Sequence, residues 1–330
     1  MFLGVFLIGF TGTYLTLTLT GKPKAQASTA KKEADTVEPT QEPFEPVNTQ
    51  GSYSVVLLGS GGEGHSGGTL TDSMIIVSVD SKNNKAAMIS VPRDLWVPGN
   101  RKINAEMLAN GIDGLKSTLQ GITGLEIEKY ISVDFSGLIK AMDELGGIEV
   151  DIPKSFDDYF YPIKGLENET CGLSPAKIAE VHQKYTGFEL EKQFICRWEH
   201  IHFDKGIAQI SGEEALKLAR SRHGDSDFGR SARQFAILKG ILKKLITLNS
   251  LNKIDDTYKT FSKIVKTDMD LKTAKELAKV FGNPNEYGIS EVHLSTQNVL
   301  NETKSADGQY ILVPKAGGFN FSEIKSYISK

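Results

Sequence analysis

The chain has 330 residues, 39% of them hydrophobic and 24% charged, with a formal net charge of −3. That length supports a sizeable core, and the composition is ordinary for a globular protein. The near-neutral balance excludes a protein that coats nucleic acid, so no nucleic-acid partner is expected and strong local positive charge must serve a smaller anion.

In chain order, residues 1–21 ("MFLGVFLIGFTGTYLTLTLTG") contain no charged side chain, over about the length that spans a bilayer core. They are read as a transmembrane anchor. A cleaved signal is less favoured, because Lys22 and Lys24 separate the apolar run from the small-residue stretch at 25–27. Residues 22–50 are polar and carry Pro23, Pro39, Pro43 and Pro46, so they bury too little apolar surface to offset ordering. They read as a disordered linker that holds an extracytoplasmic domain off the cell membrane.

Order is predicted from Tyr53. "YSVVLL" is a buried strand ended by the loop "GSGGEGHSGG". "MIIVSV" (74–79) and "KAAMISV" (85–91) are two strands joined by the turn chemistry of "DSKNN". A hairpin centred between Lys82 and Asn83 pairs positions that sum to 165, which sets Asp72 opposite Arg93 at the end away from the turn. Pro92 ends the strand ladder, leaving Arg93 and Asp94 where a strand meets a loop.

Helical periodicity follows over 104–120 and 135–145, then a strand at 148–152. Residues 157–203 read as an irregular inserted loop that contains Cys171 and Cys196, the two cysteines of the chain. Neither belongs to a C-x-x-C pair; outside the cytoplasm a disulfide is favoured over two unpaired thiols. Ser211 and Glu214 stand at capping-box spacing and open a helix over 211–219. A second helix reaches residue 248 with apolar residues at 237, 238, 241, 242 and 245. Residues 51–248 are thus expected to form the main domain, and 249–330 a C-terminal α/β extension.

Between the two helices lies "RSRHGDSDFGRSARQ" (220–234), with four arginines in fifteen positions. Arg220 and Arg222 share one side if the chain is extended there. Arg230, Arg233 and Gln234 share a face at the positive end of the next helix. Together they predict a site for a multiply charged anion, with His223 lining it. Asp72 adds a carboxylate able to hold Mg²⁺ beside phosphate oxygens. These are the parts of a phosphoryl-transfer site.

The segments "LLGSGG…TLTDSMIIVSVD", "AMISVPRDLWVPG", "KINAEM", "YISVDFSGLIKAMDELGGIEVDI" and "ISGEEALKLARSRHGDSDFGRSARQ", in that order, resemble the LytR-CpsA-Psr family. The resemblance implies a three-layer α-β-α domain around a central mixed sheet, anchored in the membrane. It implies Mg²⁺-assisted transfer of a glycopolymer, with its linking phosphate, from a polyprenyl-pyrophosphate carrier to peptidoglycan. By position, Asp72 matches the metal-binding aspartate and Arg93 the pyrophosphate-binding arginine, with Asp94 beside it. Arg220 and Arg222 match the pyrophosphate grip and Arg230 and Gln234 the head of the following helix; with them Arg233, and Lys102 in the segment near the pocket, are expected to bind pyrophosphate. Asp225 or Asp227 lies where an acid would accept the proton of the incoming hydroxyl. Two positions depart from the family pattern: Leu70 replaces an arginine, and Gly59-Ser60-Gly61 lacks an aspartate. A non-catalytic polyprenyl-phosphate or glycan binder, or a pyrophosphatase using the same site, is the alternative.

Overall fold

Val55 and Val56 are both fully buried, which neighbouring strand residues achieve only where both faces of a sheet are covered. The computed structural model describes residues 52–65, 67–223, 227–248, 254–281 and 286–329. The expected anchor and linker lie outside these residues. No described helix is long and apolar enough to cross a membrane.

β1 (Ser52–Ser60), β2 (Thr71–Asp80) and β3 (Lys85–Val91) form an antiparallel meander, followed by the short pair β4 (Trp96–Val97) and β5 (Arg101–Lys102). The meander keeps the expected register, with Met74 opposite Val91 and Val77 opposite Met88. α1 (Glu106–Thr123) crosses over to β6 (Lys129–Asp134), which runs parallel to β1 and leads directly into α2 (Phe135–Glu144). β7 (Ile148–Ile152) comes next, then the segment read from sequence as irregular.

That segment is ordered. β8 (Phe156–Pro162) pairs antiparallel with β9 (Trp198–Phe203), and α3 (Pro175–Lys184) and α4 (Gly187–Glu191) lie between them. The strand alternation was masked for two reasons. The buried position 158 holds an aspartate, and the register shifts between Asp158 and Tyr161. Cys171 and Cys196 are joined as a disulfide across this segment.

β10 (Gly206–Ile210) pairs with β7 and precedes α5 (Gly212–Arg220) and α6 (Asp227–Thr247). Ser211 and Glu214 form the expected capping box at the start of α5. The remaining elements are α7 (Ile254–Phe261), β11 (Lys266–Thr267), α8 (Leu271–Phe281), β12 (Gly288–His293), β13 (Leu300–Lys304), β14 (Tyr310–Pro314) and α9 (Ser322–Ile328).

The central six-stranded sheet has the order β11-β6-β1-β2-β3-β12. Its two edges therefore come from the stretch expected to be an extension. β12 pairs parallel with β3, and β11 antiparallel with β6. These pairings span more than a hundred residues of chain, a separation that local pattern cannot reveal.

Helices cover both faces. On one, Val55, Ile75 and Val77 pack against α2, α5, α6 and α8 through Met142, Leu218, Phe235, Ile241 and Leu277. On the other, Val56, Ile76 and Ile89 meet Leu115 and Leu119 of α1 and Ile324 of α9. α5 crosses α2 closely because residue 212 is glycine: a Cβ there would stand 2.5 Å from Ile139 O. That crossing sets the end of α5, and its arginines, over the end of the sheet.

Candidate functional site

The hairpin register brings together the charged residues at its open end. Arg93 Nη1 donates to Asp72 Oδ1 at 2.7 Å, with both side chains partly exposed. Arg93 Nε is buried, 3.5 Å from Asp94 Oδ2. Asp94 Oδ1 in turn accepts from Lys102 Nζ at 2.7 Å. Asp94 and Lys102 thus form a supporting ion pair behind Arg93, and neither lines the cavity described below. The expectation that Lys102 grips pyrophosphate directly is corrected: its ammonium is held by Asp94, across the short β4–β5 pair.

α5 ends at Arg220, and Ser221 leaves the helix with extended backbone (φ −50°, ψ 134°). Arg220 and Arg222 therefore both reach the same cavity. Arg220 lies 4.2 Å over the Phe135 ring and donates to the Tyr161 hydroxyl at 3.3 Å. Such stacking fixes a guanidinium without neutralising it.

Asp158 holds the turn after α5. It is 1% exposed, and its Oδ2 accepts from Ser221 Oγ (2.7 Å), Arg222 N (3.2 Å) and His223 N (3.3 Å). Burial pushes its carboxyl up, but hydrogen bonds from Ser221, Phe160 and His223 outweigh that and hold it below the usual carboxylate range.

α6 divides its polar residues by face. Arg230 and Gln234, one helical turn apart, line the cavity. Gln234 Oε1 accepts from Ser73 Oγ at 3.1 Å, and its amide donates to Ala219 O at 3.2 Å. Arg233 points elsewhere and is 1% exposed. It donates to Leu218 O (2.9 Å) and Ser221 O (2.6 Å), and it stacks 4.3 Å over Phe156. The expectation that Arg233 binds pyrophosphate is corrected: it satisfies the carbonyls at the end of α5. Asp225 lies outside the described residues; Asp227 begins α6, and its side chain is outside them too.

These elements surround a cavity of about 450 Å³. One end is lined by Asp72, Arg93, Arg220, Arg222, His223 and Arg230. The rest runs between the sheet and α2 and α6, past Leu57, Ile131, Val133, Leu138, Met142, Ile237 and Ile241. The apolar stripes of these two helices thus meet in one wall. Sequence reasoning missed Asp158, Tyr161 and Asp134, all of which line the cavity. Asp134 Oδ1 caps α2 through Gly137 N at 2.7 Å. The loop after β1 presses on it: Gly62 has φ +81°, and a Cβ there would come within 2.8 Å of the Asp134 Cβ. The signal for Asp134 was present as an aspartate directly before a helix. Asp158 had none, because it lies in a strand that reads as loop.

Among the described residues no group of three or more His, Cys, Asp or Glu side chains is placed to hold a metal. Asp72 keeps Oδ2 and Asp134 keeps Oδ2 without a hydrogen bond among these residues, and both line the cavity. Two carboxylates of this kind fit Mg²⁺, which is usually bound through one or two carboxylates plus substrate phosphates and water.

The LytR_cpsA_psr family model matches residues 13–318. The chain is 30% identical over 220 residues to the polyisoprenyl-teichoic acid–peptidoglycan teichoic acid transferase TagV of Bacillus subtilis, covering 64% of this chain and 48% of that protein. It is 28% identical over 278 residues to Biofilm regulatory protein A of Streptococcus mutans, covering 78% of this chain and 58% of that one. The chain thus spans about half the length of these curated relatives. The crystal structure of B. subtilis TagV superposes with a TM-score of 0.59 at 24% identity, over 85% of this chain and 98% of that one. At that identity the superposition carries the fold, an α/β domain around a central mixed sheet. With its family model matched across most of its length, the chain belongs to the LytR-CpsA-Psr family.

Proposed function

We propose that the chain is an extracytoplasmic phosphotransferase that moves a glycopolymer, with its linking phosphate, from a polyprenyl-pyrophosphate carrier to peptidoglycan. One observation carries the reading: a single cavity has four arginines at one end and an apolar wall along the rest. A ligand that fits must join a multiply charged anion to a hydrocarbon chain, as a polyprenyl diphosphate does. The similarity to TagV, a polyisoprenyl-teichoic acid–peptidoglycan teichoic acid transferase, supports the same reading.

In this reading Arg93, Arg220, Arg222 and Arg230 hold the diphosphate and oppose the negative charge of the transition state. The apolar wall takes the first isoprene units and fixes the carrier's orientation. Asp72, with Asp134, would hold Mg²⁺, which supplies charge neutralisation at the phosphate oxygens when bound. Residues 1–21 would anchor the domain in the cell membrane, near a carrier that is itself membrane-bound. The disulfide agrees with an oxidising, extracytoplasmic location.

The test uses the full chain with a polyprenyl-diphosphate-linked disaccharide and peptidoglycan fragments, followed with and without Mg²⁺. Transfer of the disaccharide with one phosphate supports the reading. Release of free sugar phosphate to water would make the protein a pyrophosphatase, and tight binding without turnover would make it a receptor for the carrier.

A further inference from the structure

We infer that His223, steered by the buried Asp158, accepts the proton of the incoming acceptor hydroxyl; this rests on the phosphotransferase reading above. His223 lines the charged end of the cavity. Its Nδ1 lies 3.5 Å from Asp158 Oδ1, and its backbone N–H donates to Asp158 Oδ2. One ring face is stacked on Phe188, with centroids 4.3 Å apart and planes 4° from parallel, and Phe160 meets the ring edge-on. Among the described residues Nε2 has no hydrogen-bond partner. A carboxylate at Nδ1 favours the tautomer protonated there, which leaves Nε2 as the basic atom.

The same turn carries Arg222, so base and diphosphate grip are positioned by one side chain, Asp158. In the reaction the acceptor oxygen forms a bond to the glycan-linked phosphorus. The bond from that phosphorus to the bridging oxygen breaks, and polyprenyl phosphate leaves with the electron pair. The hydroxyl proton passes to His223 Nε2. His223 is the catalytic residue here, and Asp158 a positioning residue.

The test again uses the full chain, with a polyprenyl-diphosphate-linked disaccharide donor and peptidoglycan fragments. His223→Ala should lower kcat by about a hundredfold or more with donor binding unchanged, and free imidazole should restore part of the rate. Asp158→Asn should lower kcat with the KM for the donor unchanged, whereas mere loosening of the turn, which also carries Arg222, would raise that KM. Wild-type rates in His223→Ala, loss of donor binding without imidazole rescue, or a raised donor KM with unchanged kcat in Asp158→Asn would overturn the inference. A wild-type chain that binds donor but transfers nothing would instead sink the phosphotransferase reading, and the base with it.

Discussion

Arg93 and Asp72 meet at 2.7 Å across the open end of the β2–β3 hairpin, so the guanidinium is set by a carboxylate that also faces the cavity. The pair is partly exposed, and its contribution to stability is correspondingly small. Its value lies in position. Asp72→Asn and Arg93→Ala should each reduce transfer by about a hundredfold to a thousandfold. Thermal unfolding of both variants should stay close to wild type, and Asp72→Asn should also blunt the response to added Mg²⁺. A large fall in melting temperature with activity retained would place the pair in the fold instead of the site.

Arg230 and Arg233 lie on the same helix and should separate in experiment. Arg233→Ala strips the donors from Leu218 O and Ser221 O in a buried place, so destabilisation of about 3 kcal/mol is expected in urea titrations. Arg230→Ala should lower the urea midpoint less than Arg233→Ala does, while weakening binding of a polyprenyl diphosphate. The opposite assignment of effects would refute the division of labour along α6.

Far from the cavity, Glu128 gives a pH-dependent term. Burial pushes its carboxyl up to about 7, although Ser54 N donates to it at 2.7 Å. The folded chain then keeps this proton to higher pH than the unfolded chain, whose glutamate ionises near 4.5. Between those values the unfolded state sheds a proton that the folded state retains, so rising pH favours unfolding. Glu128→Gln removes the term. The stability of the variant relative to wild type should therefore be greater at pH 8 than at pH 5, as read from paired urea titrations.

The disulfide closes the segment between β8 and β9, where α4 carries the Phe188 that stacks on His223. By the loop-entropy relation, a closure of 25 residues stabilises the fold by about 3.5 kcal/mol. Replacing Cys171 and Cys196 by serine should expose residues 163–197 to limited proteolysis while the central sheet stays protected from hydrogen exchange. Equal protease resistance in the two forms would show that the segment is held by its packing alone.

The strands and helices that bear the arginines were legible in the sequence because each is local. Short apolar runs on either side of a turn defined β2 and β3, the turn chemistry fixed their register, and the register put Asp72 beside Arg93. The capping box marked the start of α5, and the spacing of Arg230 and Gln234 already assigned them to one face. Arg233 was misread because three- and four-residue spacings share a helix face only loosely. Which of those residues meets solvent and which meets the end of α5 depends on how α5 and α6 cross. Asp158 was invisible, since a buried aspartate in a bulged strand breaks the pattern that would announce the strand. Composition and motif thus determined that this chain gathers arginines and a carboxylate around an anion. Only the tertiary structure decided which of them reach the cavity, because burial is settled by contacts between segments distant in the chain, as when Asp158 on β8 takes hold of Ser221, Arg222 and His223.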